Sequence, residues 1–162
     1  MSLDKITTCL WFDSHASEAA TFYASIFPSS SITHTSHYTS AGQAQHNKPP
    51  GSVMMVSFRL NSQPFMALNG GPDEFKNAST SFVIECEDQA EIDYYWGKLG
   101  EGTEGIGACG WLKDKYGVLP KQLGNVWLRN GDEEKFKRVM EAMLKMGKLE
   151  IEELKKAFNG VE

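Results

Sequence analysis

CLWFDSHASEAATFYASIFP, residues 9–28, passes from an apolar run to a helical period, and the fold follows from how that passage is read. Ile6 to Phe12 joins two threonines, a cysteine and a tryptophan to aliphatic residues, the composition of a strand covered on both faces. Asp13 and Ser14 stop it. Either supplies an oxygen for the free amides of a starting helix, and Glu18 falls in the first turn, where the helix dipole favours an anion. Ala16, Ala19, Ala20, Tyr23, Ile26 and Phe27 then recur at three- and four-residue spacing, one apolar stripe on a helix that ends at Pro28.

The same order returns in the second half. Thr80 to Cys86 is again an apolar run, Asp88 with Glu91 forms a cap and return pair, and Ile92, Tyr95, Trp96 and Leu99 supply the stripe. A strand–helix unit therefore occurs twice, as a repeat of structural order rather than of residues.

Between the two, Ser29 to Tyr38 has the content of a strand with one polar face, and Thr39 to Gly51, with Gly42 and Pro49-Pro50, that of a loop. Val53–Leu60 and Pro64–Leu68, separated by a tight turn at Asn61 to Gln63, predict a hairpin. Asn69 to Ser79 is turn-rich and links the halves. After the second helix, the glycine-rich Gly100 to Gly110 leads into Trp111–Val118, where strand pairing is expected. Behind Asp132, Phe136, Val139, Met140, Met143 and Leu144 make one helical stripe; Ile151, Leu154 and Phe158 make another after Gly147. These two helices are expected to lie on the chain's own sheet.

At 162 residues and 41% hydrophobic content, one domain spanning 1–162 is expected. The net charge of −5, with lysines and arginines scattered among acids, gives no basic stripe, so nucleic acid is not an expected partner. No leader pattern and no apolar run near the roughly 20 residues that span a bilayer is seen, so a cytoplasmic protein without a membrane partner is expected. Cys9, Cys86 and Cys109 form no close pair, which points to packed, reduced thiols rather than disulfides or a metal knuckle.

GIGACG, residues 105–110, fits G-x-G-x-x-G, but that fingerprint requires a strand before it and a helix after it. Here a helix precedes and WLKDKYG carries no helical stripe, so the segment reads as a flexible connection and no cofactor is expected. His34 and His37, three apart on a strand, fall on opposite faces, and His15 and His46 have no partner visible in the sequence. No G-x-S-x-G elbow occurs. Asn69 directly follows a strand and sits either at a pocket mouth or in a turn; Trp111 beside Gly110 is either a pocket wall or core.

CLWFDSHASEAATFYASIFP, GSVMMVSF, QPFMALNGGP, SFVIECEDQAEID, CGWLKDKYG and RVMEAMLKMGKLEIEELKKAF together resemble the PhnB-like proteins of the vicinal oxygen chelate (glyoxalase and bleomycin-resistance) superfamily, over nearly the whole chain. Many of these carry the label 3-demethylubiquinone-9 3-methyltransferase. The resemblance implies an α+β fold of paired βαβββ modules around a concave pocket, in a homodimer. The modules would occupy 5–71 and 79–128, with two C-terminal helices at 132–159. Metal-using relatives draw ligands from the first and last strand of each module. Thr8 stands near the first such position and Ser79 to Ser81 near the second, and hydroxyls are poor ligands for a divalent transition metal, so no metal is expected.

Chains of this type continue after Tyr-Gly-Val with a Ser-Trp-Gln strand. Here Val118 runs directly into Leu119 and Pro120, so the closing strand of the second module is expected to be shortened or absent. The resemblance implies a protein that binds or converts a small molecule, with no catalytic residue assignable. The alternatives are a non-enzymatic sequestering module and the methyltransferase of the family label, which the setting of GIGACG opposes. The expected ligand-binding residues are Thr8 and Leu10, with Cys9 and Trp11 toward the helix, Ser81 by the repeat, and Asn69 and Trp111 by position.

Overall fold

The apolar run and the helical stripe of residues 9–28 form β1 (Thr8–Phe12) and α1 (Ala16–Ile26). The computed structural model describes residues 7–41, 43–72, 81–103, 107–124 and 132–161, and the chain forms two compact units, 1–77 and 78–162.

The first unit continues with β2 (Ser31–His37), α2 (Gln43–His46), β3 (Val53–Leu60) and β4 (Gln63–Asn69). Its sheet order is β1-β4-β3-β2, with β1 parallel to β4 and the other pairs antiparallel, which is a βαβββ module. The single turn of α2 arises inside the segment expected to be loop, where the amide of Asn47 donates to the carbonyl of Gln43 at 2.9 Å. Leu10, Phe12, Val56, Phe58, Phe65 and Ala67 are buried with Ala16, Ala19, Ala20, Tyr23 and Ile26 of the helix. The three alanines let α1 lie close on the sheet, and each large side chain covered there stabilises the fold by about 1.5–3 kcal/mol.

Leu60 pairs with Gln63, so the hairpin turn is Asn61 and Ser62 alone, with φ of 45° and 68°. Two left-handed central residues are the mark of the type I′ turn, whose twist matches that of the strands it joins. Asparagine tolerates this conformation, whereas serine is strained in it.

The second unit contains β5 (Ser81–Cys86), α3 (Gln89–Leu99), β6 (Leu119–Gly124), α4 (Glu133–Met143) and α5 (Ile151–Asn159). β5 and β6 run parallel, from Ser81 opposite Leu119 to Cys86 opposite Gly124, the relation that β1 has to β4. A strand of six residues therefore stands where a shortened or absent closing strand was expected. Of the antiparallel pairing found in the first unit, the described residues here keep a short bridge, in which Trp111 and Leu112 lie beside the start of β6 and Asp114 donates to the carbonyl of Val118 at 2.9 Å. A turn built on Asp114 makes the strand possible. This carboxylate is 2% exposed and accepts from the amides of Tyr116 and Val118, both at 2.9 Å, and Leu112 then donates to the carbonyl of Pro120 at 3.0 Å.

Asp88 caps α3 by accepting from the Glu91 amide at 2.9 Å, and Asp132 caps α4 by accepting from Lys135 at 3.1 Å. The Glu91 carboxylate returns to the amide of Glu87, one residue earlier than a capping box would place it. α5 lacks a side-chain cap of its own. Its first amide, on Ile151, donates instead to Oε1 of Gln89 at 2.8 Å, and Nε2 of Gln89 donates to the carbonyl of Leu149 at 3.1 Å. Lys148 joins the same junction by pairing with Asp93 and, at 3.1 Å, with Glu150. At the other end of α5, Arg138 donates to the carbonyls of Ala157 and Phe158, each at 2.9 Å. Among the described residues no helix is long and apolar enough to cross a membrane.

Ser62→Gly relieves the strained turn while the bond from Arg59 Nε to the backbone oxygen of residue 62 is kept. Urea denaturation is expected to show a gain of about 0.5–1 kcal/mol.

Candidate functional site

The end of the first unit's sheet is built around Asn69, which is 7% exposed. Its Oδ1 accepts from the amide of Ala16 at 2.8 Å, its Nδ2 donates to the carbonyl of Val53 at 3.1 Å, and its own carbonyl accepts from the Tyr38 hydroxyl at 2.7 Å. Asn69 thus does from β4 what Asp13 and Ser14 were expected to do locally. His15 is the cap residue of α1 and makes no side-chain cap bond.

This bond also fixes which face of the sheet the helix covers. Asn69 points at α1, and strand alternation together with the register puts Ala67, Phe65, Thr8, Leu10, Phe12, Val56 and Phe58 on the same side. Leu10 is 2% exposed and Cys9 is exposed. The phase of β1 is therefore the reverse of the one expected: Thr8 and Leu10 stand on the helix side, and Cys9 and Trp11 on the other. The cause is that α1 covers only one face, and Leu10 and Phe12 fill it.

The face away from α1 carries two transverse rows. Cys9, Met66, Ser57 and His34 are neighbours across the four strands, and Trp11, Leu68, Met55 and Ser36 form the next row. Cys9 and His34 are exposed and the other six half-buried. Trp11 is held rigidly, since its Nε1 donates to the carbonyl of Gly71 at 3.0 Å and its ring lies where a Cβ on Gly70 would come within 2.0 Å. Only glycine fits beneath it. Beside this corner, Lys48 Nζ donates to the carbonyl of Asp13 at 3.0 Å and lies 3.7 Å from its carboxylate.

Of the five expected ligand-binding residues, Thr8, Leu10 and Asn69 belong to the first unit, and Ser81 and Trp111 to the second. The Asn69 side chain is engaged within the frame of the sheet. Ser81 is half-buried at the start of β5, on the side shared with the exposed Val83 and Glu85. Trp111 is half-buried, its amide bonded to the carbonyl of Ala108 at 3.1 Å and its own carbonyl to the amide of Gly107 at 3.1 Å. The adjoining part of GIGACG is tied down: Cys109 and Gly110, with φ of 59° and 77°, donate to the carbonyls of Met146 and Gly147 at 2.7 and 2.8 Å. Ser79, also considered near a ligand position, lies outside the described residues.

At the register shift between Ser36 and His37 the skipped residue is Met54 of β3, while β2 runs without interruption from His34, opposite Ser57, to His37, opposite Val53. Three residues of continuous strand put the two histidines on opposite faces, where they cannot share an ion. Among the described residues no three His, Cys, Asp or Glu side chains stand together as a metal site.

All three cysteines are free. Burial raises the Cys9 thiol above its ordinary value. Burial first, and then the charges of Glu91 and Asp88, push the Cys86 thiol up to about 11.

A model of the family described as 3-demethylubiquinone-9 3-methyltransferase matches residues 4–121. A solved PhnB protein from Bacillus cereus, provisionally described as a 3-demethylubiquinone-9 3-methyltransferase, is 33% identical; the match covers 74% of this chain and 98% of that one, with a TM-score of 0.58. Protein PA1353 from Pseudomonas aeruginosa, at 18% identity, 76% and 98% coverage and a TM-score of 0.56, shares the fold. No functionally curated protein matches.

Asn69→Ala removes the partner of two backbone groups at once and is expected to cost about 2–4 kcal/mol of stability in urea denaturation. Cys86 gives a pH signature. Its folded value lies above the ordinary 9.0, so its contribution is complete below pH 9 and is lost as the pH rises toward about 11, while the unfolded thiol ionises first. The stability difference between the wild type and Cys86→Ala is expected to shrink across that interval in urea titrations.

Proposed function

We propose, for a chain that belongs to the PhnB-like family of the vicinal oxygen chelate (glyoxalase and bleomycin-resistance) superfamily, that the open face of the first unit's sheet binds a small molecule. The observation that carries this reading is the pair of rows across that face. Trp11, Leu68, Met55 and Met66 offer an apolar floor, and Ser36, Ser57 and His34 give it a polar margin toward β2. Ligand sites are commonly apolar with a few polar groups that set orientation. A fixed indole and two thioethers that adapt their shape suit a flat, mostly apolar molecule with one polar end.

Binding without chemistry is the favoured form of this reading. Cys9 is the nucleophile on the face, and a thiol with a raised pKa is mostly protonated and weakly nucleophilic. A metal has no fitting ligand set there. Methyl transfer from S-adenosylmethionine draws no support from GIGACG, whose described end turns back on Trp111 instead of opening a helix. Ser81, on the outward side of β5, and Trp111 remain our candidates in the second unit; Leu10 and Asn69 serve the frame. The reading includes a cytoplasmic homodimer, in keeping with three free thiols and with the assembly usual in the superfamily.

The test is a thermal-shift and fluorescence screen with a panel of small aromatic acids and amides. A ligand that stabilises the wild type is expected to lose its effect in Trp11→Ala and in Met55→Arg, both of which keep the far-ultraviolet circular dichroism of the parent. Leu10→Ala is expected to lower stability by about 2–5 kcal/mol and leave the ligand's affinity in place. Undiminished ligand response in both Trp11→Ala and Met55→Arg overturns the site.

A further inference from the structure

α4 carries more apolar surface than its own unit covers. Val139 and Met143 are buried, but Phe136, Met140 and Leu144, each four residues from the next, form a second row along the helix. Phe136 is 43% and Leu144 62% exposed, and Met140 is half-buried. Leu144 keeps helical backbone angles, so the row is continuous to its end.

We infer that this row is the contact through which a second copy of the chain pairs, α4 against α4, antiparallel about a two-fold axis at Met140. It rests on the homodimer of the reading above and locates its interface. A two-fold interface must be complementary to itself, and this row is. Antiparallel pairing sets Phe136 against Leu144 of the second copy and Met140 against Met140. The charges agree with the same axis. Glu134, Lys137, Glu141 and Lys145 are exposed along one flank of the row. A rotation about Met140 places Lys137 near Glu141 of the second copy and Glu134 near its Lys145. Parallel pairing would instead carry this flank of the second copy to the far side of the seam and leave those pairs unmade. An apolar row with a charged margin has the arrangement of a helix–helix interface at 8–10 Å between axes.

Sedimentation of the full chain, with cysteine cross-linking, tests this. The wild type is expected to be a dimer at micromolar concentration. Phe136→Glu and Leu144→Glu are each expected to weaken it by about thirtyfold or more. Lys137→Glu should weaken it as well, and Lys137→Glu with Glu141→Lys should restore it. In a Cys9→Ser/Cys109→Ser background, Met140→Cys is expected to form an intermolecular disulfide on mild oxidation, a readout independent of how well the glutamate variants fold. A monomeric wild type overturns the homodimer and this interface together. A dimer that both glutamates leave intact, with no cross-link at residue 140, overturns the interface alone.

Discussion

The first unit depends on one carboxamide. Asn69 satisfies the first amide of α1 with its oxygen and the carbonyl of Val53 with its nitrogen, so helix, β3 and β4 meet at one side chain. Because strand alternation has a period of two, fixing where Asn69 points fixes the phase of β4, and the parallel register passes that phase to β1. The identity of the open face, with Trp11 rather than Leu10 on it, follows from that bond.

The second unit meets the same difficulty at α5, and again an amide side chain from another element meets it. Gln89 of α3 accepts from Ile151 and donates to Leu149, while α3 and α4 take aspartate caps from the adjoining residue. The two kinds of cap do different work. A local aspartate starts a helix wherever the helix lies, whereas a remote amide also states where it must lie. α1 and α5 are the helices whose placement is set in this way, and Arg138 repeats the device at the far end of α5.

What was legible in the sequence is what a few neighbouring residues decide. The strand–helix opening of each unit, the β3–β4 hairpin, the Asp88 and Asp132 caps and the alanine stripe of α1 were legible, since each depends on contacts within a turn or two. The phase of β1 was not, because ITTCLWF is apolar on both sides and alternation leaves no mark in it. The two register shifts between β2 and β3 left no mark in the sequence either. The role of Asn69 lay 53 residues from the amide that it serves, beyond the reach of any local pattern. On α4 the stripe was visible, but periodicity does not say how much of a stripe its own core will cover.

The 53-residue reach of the Asn69 bond sets an order of events at the ribosome. α1 is made early, yet the group that completes its first turn is made after the hairpin. At ordinary elongation rates that interval is roughly 3–10 s. A helix of 11 residues is marginal alone in water. Residues 8–26 of the nascent chain therefore spend those seconds without the group that completes the helix's first turn, and the sheet closes over Leu10, Phe12 and the alanine face only after residue 69 has been made.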